Sequence, residues 1–454
     1  MATIGIIINW IIWAPWVFKG LHNLFLKKGL NSFLLLSAFI MPFYSASFGI
    51  MSFQFSIYKI LPLFLFLIFL TSHTRINNFL LLFISYMVFI TIVSYIYNYY
   101  DGRFDFAMEL GRNKISAYYG PIIQAILFIM TFFQLVRLPK KSQISHVKIM
   151  SFYIYGCILL VIVGYVQMVF YKTGVPWFDF WFLSDAVGRG IDGGLNSHAM
   201  DRGFHRMSSL GGEPRHFSAT LVLAILLQNY LVFRKINVRL ISDRYRNLFS
   251  LFIVSGIAMS FSASSVLALF IALIIFYSLS DFKMVLIFTL IIFGTIFFFS
   301  STHYLTTLLW KLSSYDMLIY AAKKDGFAIQ AIFHNWYYFL FGYGLNLADI
   351  VVPDYYLLQE TPFGFVNRYL EEKPMDGAIA PTSAILQIML SGGLVSIFLC
   401  ILFIKNSFKE LSKASKLFLA SFIGCICVSS FLIFVMGLFF IGIIINFEKE
   451  QKNL

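Results

Sequence analysis

Long apolar runs are the feature that most constrains this chain of 454 residues. Stretches of about 20 apolar residues, the length that a helix needs to cross the hydrocarbon core of a bilayer, recur from one end of the sequence to the other. Hydrophobic residues make up 59% of the chain and charged residues only 12%, a balance that a soluble domain with a polar surface does not reach. The sequence therefore predicts an all-α, polytopic integral membrane protein.

About twelve transmembrane helices are predicted from these runs, within one transmembrane domain that comprises residues 1–454. The predicted spans are 31–51, 53–71, 78–98, 117–137, 149–170, 215–233, 248–262, 265–280, 284–301, 381–404, 417–430 and 432–447. Between the two spans of 248–280, a serine-rich break predicts a turn. Residues 4–18 are apolar but short, and their three tryptophans favour a helix that lies in the membrane interface.

The distribution of lysine and arginine predicts the orientation of the spans. Loops that carry these cations alternate along the chain, and the positive-inside rule places them in the cytoplasm. Their cations are Lys19, Lys27, Lys28, Arg75, Arg137, Lys140, Lys141, Lys148, Arg234, Lys235, Arg239, Arg244, Arg246, Lys405, Lys409, Lys413 and Lys416. The two longest loops, 171–214 and 302–380, then lie outside. Topology and anionic lipid explain the net charge of +13, so nucleic acid is not an expected partner.

A cationic cluster stands directly before the span 215–233. Residues 201–216 read DRGFHRMSSLGGEPRH. Glu213 and Pro214 are typical of a helix start, because proline is favoured in the first turn and a carboxylate there meets the positive end of the helix dipole. Cationic side chains at that same end are unfavourable unless an anion binds. The sequence therefore predicts an anion site at this helix start.

Several cations could form this site. They are Arg202, His205, Arg206, Arg215 and His216. If residues 201–206 are helical, Arg202 and Arg206 share one face, and guanidinium groups suit bidentate contact with phosphate. The alternative is that these cations bind lipid headgroups or pair with neighbouring carboxylates. The tendency of charge clusters to mark functional sites favours the anion site.

The second long loop combines ionisable and aromatic residues. Its cations are Lys311, Lys323, Lys324, His334, Arg368 and Lys373. Aromatic and polar side chains together suit sugar stacking or an interfacial aromatic belt, and for Trp336 and its neighbours the belt is favoured. The sequence has no Asp-X-Asp, phosphate-loop, His-Glu-X-X-His or Gly-X-Ser-X-Gly motif, so metal, ATP and serine-hydrolase chemistry have no support.

Two short motifs resemble the bacterial O-antigen polymerase and O-antigen ligase superfamily, membrane enzymes that act on undecaprenyl-diphosphate-linked glycans. The stretch Arg206-Met-Ser-Ser-Leu-Gly-Gly-Glu213-Pro214-Arg-His-Phe217 is similar to the Arg…Glu-Pro-Ser-X-Phe pattern that precedes a helix in many polymerases. The stretch Phe341-Gly-Tyr-Gly-Leu-Asn346 is similar to their Phe-Gly-X-Gly-X-Asn element. The resemblance in topology extends over nearly the whole chain.

Departures from the family pattern favour a polymerase over a ligase. Ligases of the superfamily have a His-(Asn/Ser/Gln)-X9-Gly-X-X-Gly pattern at the start of a late span. Here Thr382-Ser383, Gly393 and Ser396 occupy that frame, so the ligase histidine is replaced by Thr382. Ala263 stands where many relatives have an arginine. The position of the general base is therefore open.

The resemblance implies a GT-C-like fold in the bacterial inner membrane, with two large periplasmic loops and an active site that faces the periplasm. The implied catalytic residues are Arg206, Glu213, His216 and His205; the implied diphosphate-binding residues are Arg202, Arg206, Arg215, Lys323 and Lys324; the implied substrate-binding residues are Tyr343, His334 and Arg368. No cofactor and no metal are expected. The implied partners are undecaprenyl-diphosphate-linked repeat units, membrane lipids and a chain-length regulator.

The implied reaction is polymerisation of O-antigen, in lipopolysaccharide biosynthesis, or of another surface polysaccharide. Departure of the diphosphate develops negative charge, which fixed cations stabilise in a poorly hydrated site. The alternatives are an O-antigen ligase, a flippase for lipid-linked oligosaccharides, and an assembly partner without chemistry. A flippase would place cations inside the spans, whereas the predicted spans hold almost none beyond Lys59. The sugars and their linkage are not evident from the sequence.

Overall fold

A computed structural model gives the fold of the chain. The residues that it describes are 13–23, 30–43, 47–50, 53–72, 77–109, 114–135, 146–173, 200–201, 204–207, 209, 214–236, 243–260, 262–278, 328–329, 331–333, 335–345, 347–348, 383–409, 411–428 and 431–452. The chain divides into two compact units, the first made of Met1–Thr74, Arg137–Leu308 and Glu410–Leu454, and the second of Arg75–Val136 and Leu309–Lys409. The single transmembrane domain stays a prediction.

Nearly all of the described residues are helical. The helices are α1 (13–23), α2 (Leu30–Ile40), α3 (Ile57–Ser72), α4 (Asn78–Tyr100), α5 (Arg103–Glu109), α6 (Gly120–Phe132), α7 (His146–Thr173), α8 (Pro214–Phe233), α9 (Asp243–Met259), α10 (Ala263–Ser278), α11 (Trp336–Phe341), α12 (Ala384–Phe408), α13 (Lys413–Val428) and α14 (Phe431–Lys452). A π-helical turn (Ile115–Tyr119) precedes α6, and a 3-10 turn (Phe133–Leu135) follows it.

The strands in this part of the chain form two short antiparallel pairs. Strands β1 (Ser47–Ile50) and β2 (Phe53–Ser56) form one pair, in which Ile50 lies opposite Phe53. Strands β3 (Met200–Asp201) and β4 (Phe204–His205) form the other, in which Met200 lies opposite His205.

The first unit is built around α8. This helix is apolar around its whole circumference, which is typical of a helix buried inside a protein. It packs against α7, α9, α10, α13 and α14, and Phe217, Leu223 and Leu227 are fully buried. The anion site predicted at the start of α8 is therefore attached to the most deeply buried helix of this unit.

The second unit is built on α4, which packs against α6 and α12. Leu82, Phe89 and Ile92 on α4 are exposed, as expected of a helix with one face toward lipid. The short helix α11 packs on α12. Their contact brings the Phe-Gly-X-Gly motif against the membrane helices of this unit.

Four described helical segments are long and apolar enough to cross a membrane. They are Asn78–Tyr100, His146–Phe170, His216–Phe233 and Ala384–Ser407. Two lie in each unit. The chain is thus a predominantly helical membrane protein, whereas the number of twelve spans and the GT-C-like arrangement stay predictions.

The predicted boundaries need two corrections, and one predicted span lies outside the described residues. The span 31–51 is wrong in its second half, because α2 ends at Ile40 and β1 follows. Polar and apolar residues alternate in β1 and β2, which is the period of a strand. The span 53–71 is wrong at its start, because β2 occupies residues 53–56 and α3 begins only at Ile57. The span 284–301 is the one outside the described residues.

The interfacial helix was predicted from tryptophans that the structure buries. Trp13 and Trp16 have almost no exposed surface. The indole nitrogen of Trp16 donates to Ser37 Oγ at 2.7 Å, and its ring stacks on Phe33 with 5.3 Å between centroids. These two tryptophans belong to the protein core, so they do not support an interfacial position; Trp10 lies outside the described residues.

Candidate functional site

The segment before α8 contains a pair of short strands, so the helix considered for residues 201–206 is wrong. Its backbone is instead paired as β3 and β4, and the argument that Arg202 and Arg206 share a helix face does not apply. Of these two residues, the structure describes Arg206 alone. His205 is described by its backbone in β4 only.

Arg206 and Met207 bind the end of α9. The Met207 amide donates to the Met259 carbonyl at 2.9 Å, and Arg206 Nε donates to the Ser260 carbonyl at 3.1 Å. The last carbonyls of a helix have no partner within the helix, and residues 206–207 satisfy two of them. The Arg206 side chain is half-buried, so its charge is fixed at the helix end.

A second anchor holds the same stretch on α7. Ser209 has a left-handed backbone, with φ of 48°, which is uncommon for a residue other than glycine. Its amide donates to Gln167 Oε1 at 2.7 Å and its hydroxyl to the Leu160 carbonyl at 2.6 Å. Met207 is fully buried against Gly164. These contacts fix the backbone that follows Arg206.

Helix α8 begins at Pro214, which confirms the start predicted from the sequence. His216 lies in its first turn and is half-buried. Two residues later, the Ser218 hydroxyl donates to the Pro214 carbonyl at 2.8 Å and lies 2.6 Å from the Ser265 hydroxyl. The start of α8 is therefore tied to α10. Arg215 is described by its backbone only.

We use the name serine break for residues 260–265, which comprise the interruption after α9 and the first residues of α10. Ser260, Ser262 and Ser265 are buried there. The Ser260 hydroxyl donates to the Ile257 carbonyl at 2.6 Å, and the Ser262 hydroxyl donates to Ser265 Oγ at 3.1 Å. Side-chain hydroxyls thus replace part of the backbone bonding that ends with the helix. The turn predicted from these serines is confirmed.

The serine break carries two parts of the predicted anion site. Arg206 binds it through the Ser260 carbonyl, and the first turn of α8 binds it through Ser265. A fixed guanidinium and a helix N-terminus attached to one scaffold are suited to an anion such as phosphate. The other predicted members of the site, Arg202, Glu213, Lys323 and Lys324, lie outside the described residues.

The second unit contains a different interruption, in α12. Gly393 has φ of 62° and ψ of −165° within this helix, a conformation that is essentially restricted to glycine. We call it the glycine break. The Tyr343 amide donates to the Leu390 carbonyl and the Gly344 amide to the Ser391 carbonyl, each at 2.8 Å. The Phe-Gly-X-Gly motif therefore supplies donors for carbonyls that the broken helix leaves without their usual partners.

Side chains of α4 complete the glycine break. The Tyr86 hydroxyl donates to the Gly392 carbonyl at 2.8 Å and to the Phe341 carbonyl at 3.2 Å. Ser94 donates to the Tyr343 carbonyl, and Thr91 Oγ1 accepts from the Leu345 amide at 3.0 Å. These polar residues lie inside an apolar span, and sequence analysis missed them. Their isolated hydroxyls in α4 were the available signal.

The predicted substrate-binding residues are only partly described. Tyr343 is fully buried, its hydroxyl donates to the Ala331 carbonyl at 2.8 Å, and its ring stacks on Tyr338 with 3.8 Å between centroids. The side chain is thus built into the second unit, and its role toward substrate stays a prediction. His334 and Arg368 lie outside the described residues.

An ion pair between the half-buried Arg234 and the buried Glu448, at the predicted cytoplasmic end of the first unit, also escaped sequence analysis. Arg234 Nη2 lies 3.5 Å from Glu448 Oε1. Ser412 and Ser415 donate to the same carboxylate oxygen, at 2.6 and 2.7 Å. The residues are far apart in sequence, so no local pattern shows the pairing. This cluster joins α8, α13 and α14.

An aromatic cluster at the end of α4 carries two carboxylates. Tyr118, which precedes the apolar helix α6, donates to Asp105 Oδ1 at 2.6 Å. This hydrogen bond, with a smaller contribution from desolvation, raises the pKa of Tyr118 to about 12. Because the protonated hydroxyl forms the bond, its contribution to stability is complete below pH 10 and is lost as the pH rises through about 12.

No group of three or more metal-ligating side chains occurs in the part of the chain that the structure describes. Comparison with protein-family models, with curated proteins and with solved structures gave no match to this chain. The resemblance to the polymerase and ligase superfamily therefore depends on the two motifs and the topology. Its functional consequences are proposals.

Proposed function

We propose that this chain is a membrane glycosyltransferase that polymerises a surface polysaccharide, such as O-antigen, at the external face of the bacterial inner membrane. It would move the growing glycan from undecaprenyl diphosphate to a hydroxyl of the next lipid-linked repeat unit. The observation that supports this most is that Arg206 and the first turn of α8 are attached to one serine break. The proposal includes about twelve spans and a GT-C-like fold.

The reaction needs stabilisation of a leaving diphosphate. The bond between the anomeric carbon and a phosphate oxygen breaks, and a bond from the acceptor oxygen to that carbon forms. Negative charge grows on the phosphate oxygens, where a fixed guanidinium in a poorly hydrated site is most effective. Arg206 has this role in the proposal, and Arg202 and Arg215 of the same unit assist it. Lys323 and Lys324 stay predicted diphosphate-binding residues. Arginine suits it better than lysine because the guanidinium is planar and bidentate.

The acceptor hydroxyl must also lose its proton. Glu213, His216 and His205 are the proposed bases, since carboxylates and imidazoles act in this way when they lie near the reacting hydroxyl. Of these, His216 is the one whose side chain the structure describes, in the first turn of α8. In the second unit, the buried Tyr343 acts through the motif that it anchors, with His334 and Arg368 as the substrate-contacting residues.

Two alternative functions predict other results. In the described residues, the Arg234–Glu448 pair lies near the predicted cytoplasmic end of α8 and not at its centre, so no feature observed there favours a flippase. Deletion of the gene followed by electrophoresis of surface glycan separates the possibilities. A single repeat unit on the acceptor indicates a polymerase. Loss of every unit would indicate a ligase or a flippase and would refute the proposal.

The role of Arg206 is tested by complementing the deletion with variants. Arg206→Ala should give only single repeat units although the protein is still inserted in the membrane. Lys172→Ala is the matched control, because Lys172 is an exposed cation in the last turn of α7, at the same predicted external end. It should restore long chains. Long chains from Arg206→Ala would remove Arg206 from the mechanism.

A further inference from the structure

The end of α4 and the turn into α5 carry a group of tyrosines outside the apolar part of the span. Tyr99 is 55% exposed and Tyr100 is 84% exposed. A 23-residue helix is about 35 Å long, which exceeds a hydrocarbon core of about 30 Å. The last tyrosines of α4 therefore lie at or beyond the membrane boundary, on the side predicted to be external.

Contacts with a buried phenylalanine and with neighbouring tyrosines hold these rings in place. Phe104 is buried, stacks on Tyr118 with 5.1 Å between centroids, and lies 4.8 Å from the ring of Tyr95. Tyr99 meets Tyr118 at 6.2 Å and Tyr100 at 5.7 Å, both edge to face. A rigid aromatic surface loses little conformational entropy when a ligand binds to it.

Phe104 also packs against the buried Leu347. Leu347 follows the Phe-Gly-X-Gly motif, which binds the glycine break. The aromatic surface and the glycine break therefore belong to one packed part of the second unit. A ligand on this surface would be held at a fixed position relative to the motif.

Hydrogen-bonding groups lie between the rings. Tyr118 orients the exposed Asp105 through a 2.6 Å hydrogen bond. Arg103 Nε orients Asp101 Oδ2 at 2.7 Å. An ionised carboxylate has two oxygens and several acceptor positions, so each can accept further hydrogen bonds from hydroxyl groups. The two carboxylates also disfavour anionic lipid headgroups here, because like charges repel.

We propose that Tyr99, Tyr100, Asp101 and Asp105 form a binding surface for the glycan of the lipid-linked substrate. The faces of sugar rings carry apolar C–H groups that stack on aromatic side chains, and their hydroxyls donate to carboxylates. An interfacial belt would need the rings but not the oriented acids. The inference depends on the proposed function for the identity of the glycan, and it assigns the surface a role in holding the growing chain.

Binding is measured with the protein in lipid nanodiscs and a soluble probe. The probe is oligosaccharide released by mild acid from the surface glycan of the same cells, titrated by calorimetry. The double variant Tyr99→Ala/Tyr100→Ala should bind about tenfold more weakly, the loss expected for aromatic stacking, and Asp105→Asn should bind several-fold more weakly. Phe89→Ala is the matched control, because Phe89 is 63% exposed on the same helix but lies about 15 Å before Tyr99 along the helix axis. It should bind like the unchanged protein.

The same variants should shorten surface glycan in cells without abolishing the first linkage. Equal affinity for the probe in the unchanged protein and the double variant would overturn the binding surface. If equal affinity is accompanied by a lower amount of the double variant in the cell membrane, the rings form an interfacial belt instead. Arg206→Ala separates the two proposals, because it should bind the probe normally while failing to extend chains. Normal extension by Arg206→Ala would remove Arg206 from the reaction and leave the binding result standing.

Discussion

The serine break and the glycine break meet the same structural requirement by different means. Each interrupts apolar helical structure and leaves backbone carbonyls without helical partners, which must be satisfied by other groups in a membrane. At the glycine break, two backbone amides of the Phe-Gly-X-Gly motif do this. At the serine break, one donor is the Met207 amide and the other is the Arg206 guanidinium.

The difference explains what each motif contributes. Backbone amides carry no charge, so the Phe-Gly-X-Gly motif contributes only a close approach of two chain segments to the glycine break. Arg206 brings a permanent positive charge to the carboxyl end of α9, where the helix dipole and the Ser260 carbonyl stabilise it. Of the two motifs that resemble the superfamily, the one with Arg206 thus suits chemistry and the other suits architecture.

The largest effect is expected at Gly393, where the glycine break has no space for a side chain. In Gly393→Ala, the new Cβ would overlap the Leu340 carbonyl, and the backbone conformation excludes alanine. Strain and overlap together should cost about 3 kcal/mol or more, seen as loss of folded protein in thermal unfolding. Gly102→Ala is the matched control. It has φ of +70° but no atom within 4 Å of a Cβ, so it should lose only about 1 kcal/mol. Equal losses would show that strain alone, without the close approach, explains Gly393.

A smaller effect is expected for Tyr86→Phe. The substitution keeps the ring and removes the hydroxyl that donates to Gly392 and Phe341. The two carbonyls lose this donor within the span, so the free energy of unfolding should fall by about 1–2 kcal/mol. Denaturant unfolding of the purified protein measures this. An unchanged stability would mean that the motif's amides alone hold the glycine break.

The smallest effect is expected at the serine break. Ser218→Ala and Ser265→Ala should each cost about 1 kcal/mol. Because the two hydroxyls are 2.6 Å apart, the double variant should lose less than the sum, with a coupling of about 0.5 kcal/mol or more. A double-variant cycle in thermal unfolding tests this. Strict additivity would show that the link between α8 and α10 contributes nothing to stability.

The sequence predicts the membrane class, most helix positions and the start of α8, because apolar runs and a Gly-Glu-Pro helix start are local signals. It also predicts the turn at the serine break. It fails at β1 and β2, where a hydrophobic count concealed an alternating pattern. The helix considered for residues 201–206 is wrong because the sequence between β3 and β4 has no strong turn signal beyond Gly203.

Features that depend on distant contacts were beyond prediction. The Arg234–Glu448 pair joins residues more than two hundred positions apart, and Tyr86 is equally remote from Phe341 and Gly392. Gly393 is visible in the sequence, but its role depends on the segment that approaches it. For Arg206, the sequence indicates the cation, and the structure adds the carbonyl that fixes it.

The central claim is that Arg206 acts on a leaving diphosphate and does not merely cap α9. The most direct test is chain extension by purified protein in liposomes that contain undecaprenyl-diphosphate-linked repeat units, with release of undecaprenyl diphosphate as the measurement. Arg206→Gln keeps an N–H donor for the Ser260 carbonyl but removes the charge. We predict normal folding and a rate that is lower by about 100-fold or more. Extension by Arg206→Gln at the rate of the unchanged protein would contradict the account.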